Sequence, residues 1–291
     1  MGGGSYSYTA RIANRSDHYS KTNASEIFSK SLHKDLSPKD IEYRESCDND
    51  EHPESFPIII GLDVTGSMGD IPDYLIKSAF PEIMKKLIDS GIANPQVLFL
   101  GIGDHEYDLA PIQISQFESS DELLDKQLEK IYLEGGGGGN AGESYLLAWY
   151  TAAFKTKTDS FIKRNKKGVC ITIGDEPNLV SIDKKTLKKI FGQGEYHNYI
   201  DKELLEEARK YYECYHIDLS KRNKKCDNRS CKYWENILCE DVTFLTNKNQ
   251  VIDMLSQLIL FAYNKTTSES NFAKTGATKL CPKTKIPNFI L

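Results

Sequence analysis

The chain has 291 residues, 39% of them hydrophobic and 27% charged, which is enough to bury the core of one large α/β domain with extensions. Its formal net charge of −5 gives no electrostatic reason to expect nucleic acid as the main partner, because phosphate binding needs a basic surface. Seven cysteines, an odd number over a long chain, favour a reducing compartment over a disulfide framework.

The N-terminal segment, residues 1–55, is polar and rich in Ser, Asn, Asp and Lys. It has too few apolar side chains for a core of its own, so we expect an arm that is either disordered or docked on the main domain. It also lacks the apolar core of a signal peptide, and no later segment approaches the roughly 18 apolar residues that span a bilayer. These features predict a cytoplasmic protein without a membrane partner.

A continuous apolar run of strand length, PIIIGLD at 57–63, opens the predicted domain. Such a run indicates a central strand that is covered on both faces. A helix follows, with apolar side chains at three- and four-residue spacing from Ile71 to Leu87. QVLFLGIGD at 96–104 predicts a second buried strand, and the alternating segment APIQISQF at 110–117 predicts a short partner strand.

The rest of the chain continues the alternation of helices and strands. Helical patterns occur at 119–133, 143–156, 202–212 and 249–263, and apolar strands at 168–177, 214–219 and 241–245. Apolar strands that alternate with helices predict a mostly parallel sheet with helices on both faces. We therefore expect a doubly wound α/β domain over 56–264, with one short antiparallel strand, followed by a C-terminal extension over 265–291.

Polar side chains follow the predicted strands at the points where the strands end. In an open sheet of this kind, ligands bind beyond the carboxyl ends of the strands, so these side chains are expected on one rim. Hydroxyl and carboxylate oxygens are the ligands that Mg²⁺ and Mn²⁺ prefer, which predicts a cation site there. The rim residues are Asp63, Thr65, Ser67, Asp104, His105, Glu106, Asn140, Glu143 and Asp175.

The segment DVTGSM at 63–68 resembles the Asp-x-Ser/Thr-x-Ser signature of von Willebrand factor type A domains, which carry a metal-ion-dependent adhesion site. The resemblance covers about residues 57–264 and is supported by the order of strands and helices. It implies that Asp63, Thr65 and Ser67 contact a Mg²⁺ or Mn²⁺ ion directly or through water.

The same resemblance implies two further metal ligands. Asn140 occupies the position of the family's loop Thr, in a loop similar to the GGGD-x-PE variant of intracellular members. Asp175 stands at the last ligand position, where this chain has TIGDEP and the family usually has ITDGEP. Asp104 lies in GIGDHEYD, which resembles the YRDxxD loop of many intracellular members and is expected to be structural. The chain is also similar to a bacterial subgroup of the family with no assigned activity. The similarity covers the segments MGGGSYS, GIGDHE and GGGGGNAGES.

Two of these segments also have ordinary structural interpretations. Asp63, Thr65 and Ser67 could cap a helix at a strand-to-helix turn, as Ser and Asp commonly do. The family signature favours the metal site over this alternative. The glycine run at 135–139 could be a flexible linker, and a phosphate-binding loop would need a Lys-Ser/Thr step that is absent from this segment.

An insertion at 219–240 contains Cys226, Cys231 and Cys239, with His216 upstream. Structural zinc sites favour two to four residues between paired ligands, whereas the gaps here are four and seven, so reduced thiols are the favoured interpretation. The insertion is also basic, with interleaved aromatic residues that could bind nucleic acid or an acidic partner. A charge run is usually a solvated loop, which is the expected state here.

The chemistry of the rim leads to a functional hypothesis. A divalent cation held by neutral hydroxyls and one or two carboxylates keeps a net positive character, so it takes an acidic oxygen from outside as its last ligand. The main hypothesis is therefore a metal-dependent protein-interaction module, not an enzyme, that binds an exposed Asp or Glu of a partner protein. The resemblance also implies action beside a MoxR-type AAA+ ATPase or within a multiprotein assembly.

Two alternatives stay open. One is a metal-dependent hydrolase that uses Asp63 with Asp104, His105 and Glu106, although the haloacid dehalogenase pattern would need a second Asp where Thr65 stands. The segment from Asp104 to Glu106 could also form a second metal site. A solvated acidic loop is the favoured interpretation of this segment. The other alternative is a scaffold whose rim site binds no metal.

Overall fold

The structure is a computed structural model that describes residues 29–75, 80–92, 94–133, 142–220 and 229–275. The strands within these ranges are β1 (Arg44–Ser46), β2 (Phe56–Asp63), β3 (Pro95–Ile102), β4 (Ile112–Ile114), β5 (Thr156–Thr158), β6 (Gly168–Gly174), β7 (Ser181–Ile182), β8 (Tyr199–Ile200), β9 (Tyr212–Asp218) and β10 (Val242–Phe244). The α-helices are α1 (Ile71–Tyr74), α2 (Phe80–Asp89), α3 (Asp121–Glu129), α4 (Leu146–Phe154), α5 (Asp159–Arg164), α6 (Lys184–Phe191), α7 (Asp201–Arg209), α8 (Arg229–Leu238) and α9 (Val251–Thr275).

Six of these strands form a central sheet in the spatial order β10-β9-β6-β2-β3-β4. Four of its pairings are parallel, and β4 runs antiparallel to its neighbour β3. The predicted α/β fold with a mostly parallel sheet is thereby confirmed, including the short antiparallel strand within 110–117. Two small sheets were not predicted: β1 pairs with β5 in parallel, and β7 pairs with β8 in antiparallel orientation.

Strands β2, β3, β4 and β6 of the central sheet are buried along their whole length, whereas the edge strand β10 is half-buried. All eight residues of β2 are buried, and neighbours along the strand alternate between two hydrophobic clusters. Ile58 and Ile60 lie in the cluster that includes residues of α2 and α9, whereas Ile59 lies in the cluster that includes residues of α4 and α7. Apolar neighbours on both faces explain the continuous apolar run of this strand. The parallel pairing brings the carboxyl ends of β2, β6 and β9 to one edge.

The described part of the predicted N-terminal arm packs on the domain. Leu36 is 1% exposed and belongs to the core cluster that contains Ile58 and Ile60. The Arg44 guanidinium donates a hydrogen bond to the Ile114 carbonyl of β4 at 3.1 Å. Residues 29–55 therefore share the core of the α/β unit, and residues 1–28 lie outside the described residues.

Asp48 connects this segment to α5. Its carboxylate accepts hydrogen bonds from the Ser55 amide at 3.0 Å and the Ser55 hydroxyl at 2.8 Å, and it pairs with both terminal nitrogens of Arg164 at 2.5 and 3.1 Å. Burial alone would raise the pKa of Asp48, but the hydrogen bonds from Arg164 and Ser55 outweigh burial and lower the pKa to about 2.

Replacing Asp48 with Asn is expected to lower the free energy of unfolding at pH 7 by about 2 kcal/mol. The folded pKa lies below that of the unfolded chain, so the wild-type contribution is present above about pH 4 and is lost as the pH falls through 2. Urea unfolding from pH 7 to pH 3 should show the difference between the two proteins shrinking. The control Glu54→Gln removes an exposed carboxylate 3.8 Å from Lys166 and should change stability by less than about 0.5 kcal/mol. Equal losses in both variants would contradict this account.

The closing helix α9 is longer than predicted. It continues to Thr275, past the predicted end at residue 263. Lys265 pairs with Glu213 of β9, and Thr266 is buried, so tertiary contacts extend the helix where the sequence has little apolar periodicity. Residues 276–291 lie outside the described residues. No α-helix in the described part of the chain is long and apolar enough to cross a membrane.

Candidate metal site

The turn after β2 is organised by Asp63, the last residue of the strand. Its Oδ1 accepts hydrogen bonds from the Thr65 amide at 2.9 Å and the Thr65 hydroxyl at 2.6 Å. An aspartate that bonds the backbone two residues further on forms a tight turn, which directs the side chains after it. The Thr65 hydroxyl lies 3.2 Å from the hydroxyl of Ser67, which belongs to a 3₁₀ turn at Gly66–Met68. The side chains of the alternate residues Asp63, Thr65 and Ser67 are therefore neighbours in this turn.

Asp175 completes this arrangement from the neighbouring strand. It follows β6, which pairs with β2, and its Oδ1 accepts a hydrogen bond from the Ser67 hydroxyl at 2.8 Å. Asp63, Thr65 and Asp175 are buried, whereas Ser67 is exposed and opens the group to solvent. The structure thus brings four of the five predicted ligands together, and the fifth, Asn140, lies outside the described residues.

Successive oxygens in this group are hydrogen-bonded, at spacings that an octahedral shell around a small divalent cation also has. In an octahedral shell with metal–oxygen distances of 2.0–2.1 Å, neighbouring ligand oxygens are about 2.9 Å apart. The successive oxygen–oxygen distances from Asp63 through Thr65 and Ser67 to Asp175 are 2.6, 3.2 and 2.8 Å. In the described ranges, no group of three or more His, Cys, Asp or Glu side chains is arranged to hold a metal. The two hydroxyls would therefore be essential members of the ligand set.

Glu143 places another carboxyl group near that of Asp63. It is 7% exposed, and its side chain contacts the Thr65 hydroxyl, while its buried Oε2 has no hydrogen-bond partner among the residues that the structure describes. The sequence placed Glu143 on the rim but did not indicate this contact. Its position follows from the backbone bond between its amide and the carbonyl of Pro177, two residues after Asp175.

Burial and mutual repulsion perturb these carboxyl groups. Burial and, to a smaller extent, the carboxylate of Asp175 raise the pKa of Asp63, whereas hydrogen bonds from Thr65 lower it. The net result is a pKa of about 7. Burial also raises the pKa of Glu143 to about 9, and the nearby carboxylate of Asp63 adds to the rise. Like charges at short range in a buried site are unfavourable when both groups are ionised. A cation between them would remove this repulsion.

Tyr145 is a site residue that the sequence analysis did not identify. Its hydroxyl donates a hydrogen bond to Asp63 Oδ2 at 2.8 Å, and the side chain is fully buried. Burial raises the pKa of this hydroxyl well above its usual range, so it stays a donor. A β-carbon placed on Gly174 would lie 1.7 Å from the Tyr145 hydroxyl oxygen. The order Gly174-Asp175 therefore has a steric reason, because the ring occupies the space that a side chain at 174 would need.

Replacing Tyr145 with Phe is expected to lower the free energy of unfolding by about 1–3 kcal/mol above pH 7, since Asp63 is then ionised and its buried Oδ2 loses a donor. Below pH 6 the loss should be smaller, because Asp63 is protonated there. Tyr215→Phe is a matched control, since the hydroxyl of Tyr215 is buried and has no hydrogen-bond partner within the described residues. Urea unfolding at pH 5.5 and pH 8 compares them, and a loss that does not depend on pH would count against this role of Tyr145.

The predicted rim residues at 104–108 mainly hold their own loop together. Asp104 Oδ1 accepts a hydrogen bond from the Glu106 amide at 2.7 Å, and Asp108 Oδ2 accepts one from the Asp104 amide at 2.7 Å. The amide and Nδ1 of His105 both lie 2.8 Å from the hydroxyl of Ser144. Asp104 is 1% exposed, so the solvated acidic loop expected from the sequence does not describe this residue. These contacts support a structural role for the loop.

The insertion contributes packing beneath the site. His216 is fully buried and stacks on Trp234 with ring centroids 3.6 Å apart, and burial lowers the pKa of His216 well below its usual range. Cys231 is buried and Cys239 is exposed, whereas Cys226 lies outside the described residues. The indole nitrogen of Trp234 donates a hydrogen bond to the carbonyl of Glu176 at 3.1 Å. Trp234 thus supports the loop after β6, which carries the candidate ligand Asp175. Because Trp234 is buried, it does not form part of an exposed surface for nucleic acid.

A second aspartate turn lies at the end of β9, and the sequence analysis did not single it out. Asp218 Oδ1 accepts a hydrogen bond from the Ser220 amide at 2.8 Å, and Oδ2 accepts one from the Ser230 hydroxyl. Burial raises the pKa of Asp218, and the charge of Asp175 adds to the rise. The Ser220 hydroxyl also donates to Oδ1, so both carboxylate oxygens have hydroxyl partners, and the turn anchors the start of α8.

Comparison with known proteins gives structural similarities at low sequence identity. No protein-family model and no curated protein sequence matches the chain. Similar solved structures are two of the pilus adhesin SpaC from Lactobacillus rhamnosus GG, with TM-scores of 0.45 and 0.46 at 10% and 9% identity, and proximal thread matrix protein 1 from the mussel byssus, with a TM-score of 0.45 at 11% identity. The matches cover 75–77% of this chain but 31–49% of those chains, so this chain spans about a third to a half of their length. At this level, the similarity carries no argument about function.

Proposed function

We infer that the chain is an interaction module that binds an exposed Asp or Glu of a partner protein through a divalent cation. The observation that carries this inference is the run of four oxygens from Asp63 through Thr65 and Ser67 to Asp175, at distances suited to the edges of an octahedral shell. The signature at 63–68 supports the finer assignment, a doubly wound von Willebrand factor type A fold with a metal-ion-dependent adhesion site.

The residues of the site have distinct roles in this proposal. Thr65 and Ser67 would offer hydroxyl oxygens to the cation, and Asp63 and Asp175 would offer carboxylates. A bound Mg²⁺ or Mn²⁺ ion supplies a positively charged position that accepts an external carboxylate. Tyr145 fixes Asp63 by holding its Oδ2, so the carboxylate needs little reorganisation when the cation binds. The exposed Ser67 marks the side from which the partner approaches.

The setting of the module belongs to the same proposal. An interaction module of this kind would act in the cytoplasm, beside a MoxR-type AAA+ ATPase or within a multiprotein assembly. The hydrolase alternative has less support, because Asp104 and His105 make hydrogen bonds within or beside their own loop. The metal-free scaffold is distinguished from the proposed function by direct titration.

Isothermal titration of the EDTA-treated and desalted protein with Mg²⁺ and with Mn²⁺ tests the proposal. We expect one site per chain, and we expect the heat of binding to vanish in a Ser67→Ala variant that folds normally, because Ser67 is exposed and its hydroxyl is a proposed ligand. A wild-type protein that binds neither ion would favour the metal-free scaffold. Equal binding by the wild type and the variant would show that the cation binds at a different site.

A further inference from the structure

A groove of about 210 Å³ lies between the loop that follows β3, the helix α6 and the segment at 32–39. The buried part of its lining is apolar and comprises Pro38, Ala110, Ile112 and Ile190. Leu109, which is 89% exposed, continues this apolar lining out to solvent. The four residues of the candidate metal site are not part of the described lining, so the groove is a separate feature of the surface.

The size of the groove limits what can occupy it. Sites for small molecules usually have volumes of about 300–1,000 Å³ and bury most of the ligand surface. A groove of about 210 Å³ is smaller, and it suits one apolar side chain that a partner inserts. A side chain that fills a pocket in this way often carries much of the binding energy of a protein complex. The groove therefore has the dimensions of a pocket for a single anchoring side chain.

Lysine side chains accompany the apolar lining. Lys39 and Lys189 line the groove, and neither has an ion-pair partner in the described ranges. The helix α6 carries four exposed lysines, which are Lys184, Lys185, Lys188 and Lys189. Lysines four positions apart on a helix repel each other, and positive charge in the first turn opposes the helix dipole. This arrangement disfavours the isolated helix, and acidic side chains of a partner would relieve the repulsion.

Two acidic residues near the groove make hydrogen bonds within the chain. Asp108 lines the groove, and its Oδ2 accepts a hydrogen bond from the Asp104 amide at 2.7 Å. Asp183 caps α6, and its Oδ1 accepts a hydrogen bond from the Thr186 amide at 2.7 Å. The ammonium groups of Lys39 and Lys189 are therefore available to carboxylates from outside. The groove combines an apolar lining with positive charge that the chain does not use.

We propose that this groove docks an acidic segment of a partner protein, with one apolar side chain in the groove and flanking Asp or Glu side chains against Lys39 and Lys189. Charge complementarity supports this choice of partner, because acids on both sides of an apolar side chain match lysines beside an apolar pocket. Nucleic acid fits less well, since a net charge of −5 gives no general attraction for phosphates and the apolar lining offers them no contact. The docking needs no cation, so it goes beyond the proposed function and does not depend on it.

Fluorescence anisotropy with three labelled peptides, in EDTA, tests the proposal. The peptides DEDLDED, DEDFDED and DEDADED have the same charge and differ only in the central side chain. The protein should bind the leucine or the phenylalanine peptide at least about fivefold more tightly than the alanine peptide, a loss typical of a truncated anchor. Lys189→Glu should weaken this binding by at least about tenfold, because it places like charges together. Leu109→Ser should weaken it as well.

The matched control is Lys202→Glu, at an exposed lysine of α7 outside the groove lining, which should bind the peptides as the wild type does. Leu109 and Lys189 are also exposed, so all three variants are expected to fold, and circular dichroism verifies this. Equal losses in Lys189→Glu and Lys202→Glu would show that the peptides respond only to net charge, which would overturn the proposal.

The remaining outcomes are equally distinct. If no peptide binds, or if the alanine peptide binds as tightly as the others, the groove is not a docking site for such a segment. A single-stranded oligonucleotide that binds more tightly than the leucine peptide would assign the lysines to nucleic acid instead. Peptide binding that appears only when Mg²⁺ replaces EDTA would overturn this inference while supporting the proposed function. Binding in EDTA that depends on Lys189 and on the central apolar side chain would support the inference, whatever the result of the metal titration.

Discussion

An Asp63→Asn variant is expected to lose Mg²⁺ binding and, without metal, to be more stable than the wild type at pH 8. Asp63 is fully buried, and burial with the nearby Asp175 charge raises its pKa to about 7, well above the value of about 3.9 in an unfolded chain. The folded state therefore holds this proton to a higher pH than the unfolded state does. Stability is lost as the pH rises from about 4 to 7, and the raised pKa of Glu143 extends the loss toward pH 9.

Asn removes the ionisation of Asp63 and keeps its shape, so the expected gain at pH 8 is about 1–3 kcal/mol in the free energy of unfolding. Urea unfolding at pH 5 and pH 8, with EDTA or with Mg²⁺, measures both effects. Mg²⁺ should stabilise the wild type at pH 8 but leave Asp63→Asn unchanged. The control Asp89→Asn alters an exposed ion pair with Lys85. It should change the free energy of unfolding by less than about 0.5 kcal/mol and leave Mg²⁺ affinity unchanged. A variant that binds Mg²⁺ normally would contradict the role given to Asp63.

Replacing Gly174 with Ala is expected to destabilise the protein by about 3 kcal/mol or more, at the upper end of the range for overpacked cores. The new methyl group would lie 1.7 Å from the Tyr145 hydroxyl oxygen. The ring of Tyr145 is fully buried and packs edge-on against Trp234 and His216, with centroid distances of 5.3 and 5.1 Å, so it has little room to move. Any shift would also draw the hydroxyl away from Asp63 and weaken cation binding.

The double variant Gly174→Ala with Tyr145→Ala separates this steric effect from a general effect of the methyl group. Tyr145→Ala alone should be destabilising, since it leaves a cavity of aromatic size. In that background, however, the change at Gly174 should cost less than about 1 kcal/mol, because the clashing hydroxyl is absent. Urea unfolding of the four proteins gives the coupling energy. Additive losses would show that the ring of Tyr145 is not the reason for glycine at 174.

The elements that carry local signals were predictable from the sequence. The continuous apolar run of β2 indicated a strand that is buried on both faces. The acid and the hydroxyls at 63–67 needed only a turn at the end of that strand to become neighbours. The end of α9 depended on tertiary contacts and was not predictable in this way. Lys265 and Thr266 continue α9 through contacts with the sheet and the core, which no local periodicity encodes.

The contacts between distant segments explain what the sequence analysis missed at the site. Tyr145 reaches Asp63 across 82 positions of the chain, and the side chain of Glu143 meets Thr65 only because its backbone is paired with the loop after β6. The order Gly174-Asp175 was visible in the sequence as a departure from the family pattern. Its steric cause required the position of the Tyr145 ring.

The proposed function depends on a divalent cation that binds between the loops that follow β2 and β6. Anomalous diffraction from crystals grown or soaked in MnCl₂ is the sharpest test, because the anomalous signal distinguishes Mn²⁺ from water and from the light atoms of the protein. We expect one Mn²⁺ peak in contact with the hydroxyls of Thr65 and Ser67 and next to the carboxylates of Asp63 and Asp175. Saturating Mn²⁺ that gives no peak among these four residues, or a peak only elsewhere on the protein, would contradict it.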